Sequence, residues 1–160
     1  MRNSHLSFKG YPMPLEMLFK AASYALMPFW LLLLVAPRWQ WTQRLVHGPV
    51  VVLLLAPIYA YLLFGYGTTP EDMNFRTLYG VMVGFSVPHL VMAGWIHYLI
   101  FDLFIGAWES RDALRRGIPH AFVIPCLIAT LLVGPLGLLL YIIVRFFRTQ
   151  VLEYDEAGDQ

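Results

Sequence analysis

Residues 78–108 read LYGVMVGFSVPHLVMAGWIHYLIFDLFIGAW. The stretch holds one carboxylate, Asp102, and no lysine or arginine. As a helix rising 1.5 Å per residue it would run about 46 Å, against roughly 30 Å of bilayer hydrocarbon. It therefore predicts a transmembrane helix that tilts or projects into the headgroups.

Working outward, three more apolar runs predict helices at about 14–36, 44–64 and 119–147. Pro14 suits a first helical turn, and Glu16 sits favourably beside the positive end of the helix dipole. Pro28 lies inside the first helix and predicts a kink, while Pro37 ends it. The fourth run is interrupted by Pro125 and by GPLG at 134–137. Between the second and third runs, GYGTTPEDMN (65–74) reads as a loop, because Gly, Thr-Pro and Asp/Asn favour turns. The acidic end at 152–160 reads as a solvated tail.

Composition agrees. Of 160 residues, 59% are hydrophobic and only 13% charged, where a soluble domain carries about 25%. The expected fold is all-α: one polytopic membrane domain over residues 1–160, an antiparallel bundle of four transmembrane helices with both termini on one side. The first run is too long for the core of a secretory signal, and no small-residue cleavage site follows it, which predicts a retained helix. Arginines and lysines divide five against six between the two sides of such a bundle, a tie under the positive-inside rule; setting aside Arg2 and Lys9, far from the first helix, leans towards the two short loops being cytoplasmic.

The charge excludes some functions. A net charge of +1 and no basic patch make nucleic acid an unexpected partner. The lone Cys126 rules out an intrachain disulfide. No HxxxH or ExxH pair occurs, so no metal site is expected.

Ionisable residues inside a membrane are costly and point to function. His97 and Asp102 stand out. On a regular helix they project about 140° apart, too far for a close dyad. Asp102 and Glu109, seven apart, share a face within about 20°, and Trp95 continues that stripe. Asp102 has a structural reading too, as an ion-pair partner of Arg111, Arg115 or Arg116. His97 could simply donate to a carbonyl of another helix, and His89, after Pro88, could be satisfied by local backbone. His47 and His120 start helices two and four at the same end. Gly80 and Gly84 form a small-xxx-small pair that allows close helix packing.

Three stretches carry a family resemblance. WIHYLIFDLF (95–104) fits the pattern W-x-H-x-L-x-x-D-L-F. LMPFWLLLLVAPRWQWT (26–42) supplies Pro28, Trp30, Pro37, Trp39 and Thr42 at matching places. RGIPHAFVIPCLIATLLVGPLGLLLY (116–141) supplies Gly117, Pro125, Cys126, Leu127, Gly134, Pro135 and Gly137. The chain resembles the ABA4-like membrane proteins, a family also described as a domain of unknown function. Its plant member is needed to form neoxanthin from violaxanthin, a step that opens an epoxide and creates an allene. The resemblance implies a carotenoid-linked role, with an isomerase-like enzyme as one form of it. Lacking a long transit extension, the chain resembles a bacterial member, which implies an inner membrane, plasma or intracytoplasmic.

The candidate catalytic residues are then His97, Asp102 and Glu109, since epoxide opening needs an acid at oxygen and allene formation a base at carbon. Candidate ligand-binding residues are Trp30, Trp95 and His120, with a bound carotenoid as the implied ligand. Expected partners are the bilayer, an apolar pigment and other membrane subunits. The competing reading is a non-catalytic pigment-binding or scaffolding subunit of a larger membrane complex, such as a photosynthetic one.

Overall fold

The computed structural model describes residues 13–151, and these are helical with no strand. The expected tail at 152–160 lies outside the described residues. The helices are α1 (Met13–Val35), α2 (Gln40–Leu45), α3 (Val50–Phe64), α4 (Leu78–Phe85), α5 (Pro88–Arg115), α6 (His120–Val133) and α7 (Pro135–Thr149). Three stretches are long and apolar enough to cross a membrane: Pro14–Val35, Gln40–Phe64 and Pro88–Arg115. The chain divides into two compact units. One holds residues up to 25 and 55–97; the other holds 26–54 and everything from 98 on.

The helix limits follow local chemistry. α1 carries Glu16 in its first turn, runs through Pro28 and stops two residues before Pro37; a residue preceding proline is pushed out of the α region. The second run starts earlier than expected, at Gln40, and breaks before Val50 at Gly48-Pro49.

The third run begins at Leu78 as expected. Thr77 caps it: its side chain accepts from the Gly80 N–H at 3.1 Å. Thr77→Ala should cost about 1 kcal/mol, the usual worth of such a cap. Thermal unfolding in detergent should show a small, clear drop. The run is not one helix, however. It stops at Ser86 and restarts at Pro88, where the missing N–H costs nothing. It then continues past Trp108 to Arg115. Asp112 pairs with Arg116 at 2.9 Å and Arg115 at 3.5 Å, one turn on. Gly117, at φ +65°, ends it, as glycine commonly does in the left-handed region.

With α5 spanning 88–115, its midpoint falls between Phe101 and Asp102, which puts Asp102 at the centre of the longest apolar helix. The small-xxx-small expectation changes. Gly80 and Gly84 are buried against loop residues: a Cβ at Gly80 would strike Asn74, and one at Gly84 would touch Met73 at 3.3 Å. Their closeness serves the 73–74 turn rather than a helix crossing.

The largest correction concerns the fourth run, which was expected as a single crossing rod. In the second unit, α6 and α7 fold back on each other as an antiparallel hairpin. Gly137 packs directly on the backbone of Thr130, and Arg148 lies 4.7 Å over the Phe122 ring. Gly134 makes the turn at φ +47°. Pro135, opening α7, cannot donate to α6 and so helps to stop it. At 14 and 15 residues the arms are about 21 and 22 Å long, short of the hydrocarbon thickness.

Candidate functional site

The second unit contains a polar seam on α5. Tyr98, Asp102, Glu109, Asp112 and Arg116 are spaced four, seven, three and four residues apart, which keeps them on one face of a helix. The hairpin supplies the partners. The Tyr98 hydroxyl donates to the Leu131 carbonyl at 3.1 Å. The Glu109 carboxyl is fully buried and accepts from the Thr130 hydroxyl at 2.8 Å. The Tyr141 hydroxyl donates to Asp112 at 2.7 Å, and its ring packs edge-on against Trp108 at 5.6 Å.

Asp102 sits at the hairpin tip. Its carboxyl fills the space beside Gly134, where a Cβ would come within 3.1 Å of Oδ1. A side chain there would press on the carboxyl, and the positive φ of Gly134 itself favours glycine. The Oδ2 of Asp102 and the Oε2 of Glu109 are buried without a hydrogen-bond partner among the described residues.

Among the described residues no ion pair joins an arginine to Asp102. Arginines converge on Asp112 instead: Arg116 at 2.9 Å, Arg115 at 3.5 Å and Arg145 at 3.6 Å. Arg111 turns to the Nδ1 of His47 at 3.1 Å. A guanidinium only donates, so that nitrogen accepts and the His47 proton is on Nε2. Among the described residues the ion pairs are those of Asp112 and a surface pair, Glu16 with Lys20. Asp102 and Glu109 join none. Asp112 is thus the carboxylate that holds the charge at this end of α5. Its i+3 and i+4 arginines were the available signal that it would hold the charge.

A family model described as ABA4-like, ABA DEFICIENT 4-like, matches residues 17–141. The chain belongs to the ABA4-like family. It is 30% identical to Protein ABA DEFICIENT 4, chloroplastic, of Arabidopsis thaliana over 108 residues. That alignment covers 62% of this chain and 49% of the plant protein, about half of the relative's length. No solved structure matches. The ABA4-like match takes in the seam from Tyr98 to Tyr141; Arg145 falls just beyond it.

The other candidates on this ABA4-like chain are distributed. In the first unit, His97 lies 6.0 Å from the Tyr59 ring. It lines an apolar pocket of about 150 Å³ with Tyr59, Met73, Phe75 and Phe85. Trp95, also there, donates from Nε1 to the Ser23 hydroxyl at 3.0 Å and stacks at a tilt on Phe19. It borders a second apolar cavity of about 290 Å³. His89 is buried against Tyr66 and Gly67, with no partner for Nε2 among the described residues, so the expected local backbone bond does not reach that nitrogen.

In the second unit, Trp30 is 2% exposed and its ring edge rests on Gly106. His120 donates from Nε2 to the Leu34 carbonyl at 2.8 Å. It lines a cavity of about 360 Å³ with Trp39, Ser110 and Val123. His97 and Asp102 thus belong to different units, and Asp102 and Glu109 to the same one. Among the described residues no three His, Cys, Asp or Glu side chains converge to hold a metal ion.

Proposed function

We propose that this ABA4-like chain acts on a carotenoid within the membrane, with Asp102 and Glu109 moving protons in an epoxide opening or related isomerisation. One observation carries the reading. Two carboxyl groups stand on one face of an apolar helix, neither has a cation beside it among the described residues, and each keeps one oxygen unpartnered. A purely structural carboxylate at that depth would be expected to hold an arginine, as Asp112 does.

Opening an epoxide to an allenic alcohol moves one proton from carbon to oxygen and leaves the composition unchanged. It needs an acid and a base but no net proton source. The family, and the relationship to the plant protein, support a carotenoid as the class of substrate. His97 and Trp95 border apolar pockets of the first unit, and His120 lines a cavity of the second. In this reading the chain works as one multi-pass membrane domain.

The test is a pigment profile, by absorption and mass spectrometry, in a host that makes epoxy-carotenoids. Asp102→Asn and Glu109→Gln should each lower conversion by about 100-fold or more, the lower end of what acid–base groups contribute. Folded variants that convert pigment at the wild-type level would defeat the acid–base reading. If the wild-type protein instead retains pigment without altering it, the chain is a pigment-binding subunit. Its many exposed aromatic side chains, among them Phe101, Phe104 and Phe147, would suit that role.

A further inference from the structure

We infer that the α6–α7 hairpin is re-entrant: it enters and leaves the membrane on one side, and it builds a polar path from that side to Asp102 at mid-depth. This does not depend on what Asp102 does chemically.

Length is the first argument. Neither arm can cross, while α5 can. The tip at Gly134 meets the middle of α5, and the ends of both arms return to its C-terminal end. Leu131 meets Tyr98, Gly134 meets Asp102, and Tyr141 and Arg145 meet Asp112. The C-terminal end of α5 leads through residues 116–119 into α6, so the hairpin starts and finishes at that end.

The second argument is the distribution of polarity on α7. Gly137, Tyr141 and Arg145 are buried, four residues apart. Leu136, Leu139, Ile143 and Phe147 are exposed. The helix is apolar outward and polar inward, the pattern for an element bathed in lipid and packed on a polar seam. Non-helical backbone is tolerated at membrane depth only where protein or water satisfies it. The Gly134 turn meets that condition, being buried beside Asp102.

The third argument is charge. Three crossings, with the hairpin returning, move Arg145 and Arg148 to the side of Arg38, Arg44, Arg111, Arg115 and Arg116. The basic residues then divide seven against four, and the tie is broken. The positive-inside rule places residues 36–49, 116–119 and 150–151 on the cytoplasmic side, with 65–77 opposite. From the cytoplasmic rim the polar groups run inward as Arg116 and Asp112, Tyr141, Glu109 with Thr130, then Asp102. Over this path Asp102 is about 15 Å deeper than Asp112, ten residues at 1.5 Å each.

Single cysteines test both parts in a Cys126→Ser background, with a membrane-impermeant maleimide on oriented vesicles. The sites are Gln40→Cys, Glu71→Cys and a cysteine appended after Gln160. The appended cysteine and Gln40→Cys should label from the cytoplasmic face, and Glu71→Cys from the other. An appended cysteine that labels with Glu71→Cys would mean a fourth crossing and overturn the inference. For the path, Asp102→Cys should react with a small cationic thiosulfonate from the cytoplasmic face only. Thr130→Cys provides the same readout if Asp102→Cys does not fold. Reaction from the opposite face, or from neither, would overturn it.

Discussion

Asp112→Ala should destabilise the protein by about 3–5 kcal/mol, the usual result of removing one partner from a buried ion pair. Asp112 is 2% exposed and Arg145 is 1% exposed. Removing the carboxylate leaves the Arg145 charge buried opposite an apolar methyl. It also strips the Tyr141 hydroxyl of its acceptor and Arg116 of its 2.9 Å partner. The cost therefore exceeds that of a surface pair, which is about 0–1 kcal/mol. Thermal unfolding in detergent, followed by loss of the monodisperse peak, is the measurement. Asp112→Leu combined with Arg145→Met should recover part of the loss, because neither charge is then left in the core. An unaltered midpoint for Asp112→Ala would show that water reaches this cluster and screens it.

The second large effect is steric. A Cβ at Gly137 would overlap the backbone nitrogen, Cα and hydroxyl of Thr130. Backbone cannot rotate aside as a flexible side-chain end can. Gly137→Ala must push the hairpin arms apart and disturb the Thr130–Glu109 hydrogen bond. The expected cost is about 3 kcal/mol or more, at or above the upper end of ordinary overpacking. Gly94→Ala is the control. Its Cβ would meet only a Phe85 ring atom at 3.8 Å, and alanine favours the helix by up to about 1 kcal/mol. Gly94→Ala should match or exceed wild type, while Gly137→Ala falls well below it. Equal midpoints for the two would remove the hairpin contact from any important role.

Much of the fold was legible. Apolar length marked the membrane helices, and Pro37 and the loop at 65–74 marked two boundaries. The apolar run marks Leu78 as a start. The seven-residue spacing of Asp102 and Glu109 put them on one face, and the five-residue spacing of His97 and Asp102 kept those two apart. The hairpin was not legible, because a mostly apolar run of 29 residues looks alike whether it runs straight or turns back. GPLG was visible as an interruption. What it does depends on Thr130 lying against Gly137, a contact between residues of the two arms. The destination of the arginines was hidden for a related reason. Asp102 and Asp112 both had arginines ahead of them in sequence. Only the one-turn spacing from Asp112 to Arg115 and Arg116, and the return of Arg145 on α7, decides between them.

The hairpin also bears on biosynthesis. Glu109 is synthesised before Thr130, its hydrogen-bond donor, and Asp112 before Tyr141 and Arg145. Until Thr130, Tyr141 and Arg145 have emerged, α5 must enter the bilayer with Glu109 unmatched and Asp112 held only by Arg115 and Arg116 of its own helix, or wait beside the insertion machinery. The last thirty residues of the membrane domain thus complete α5 in the manner of an intramolecular chaperone. A ribosome that stops short of residue 120 releases a helix with an uncovered acidic face, a form that membrane quality control can tell from the finished protein.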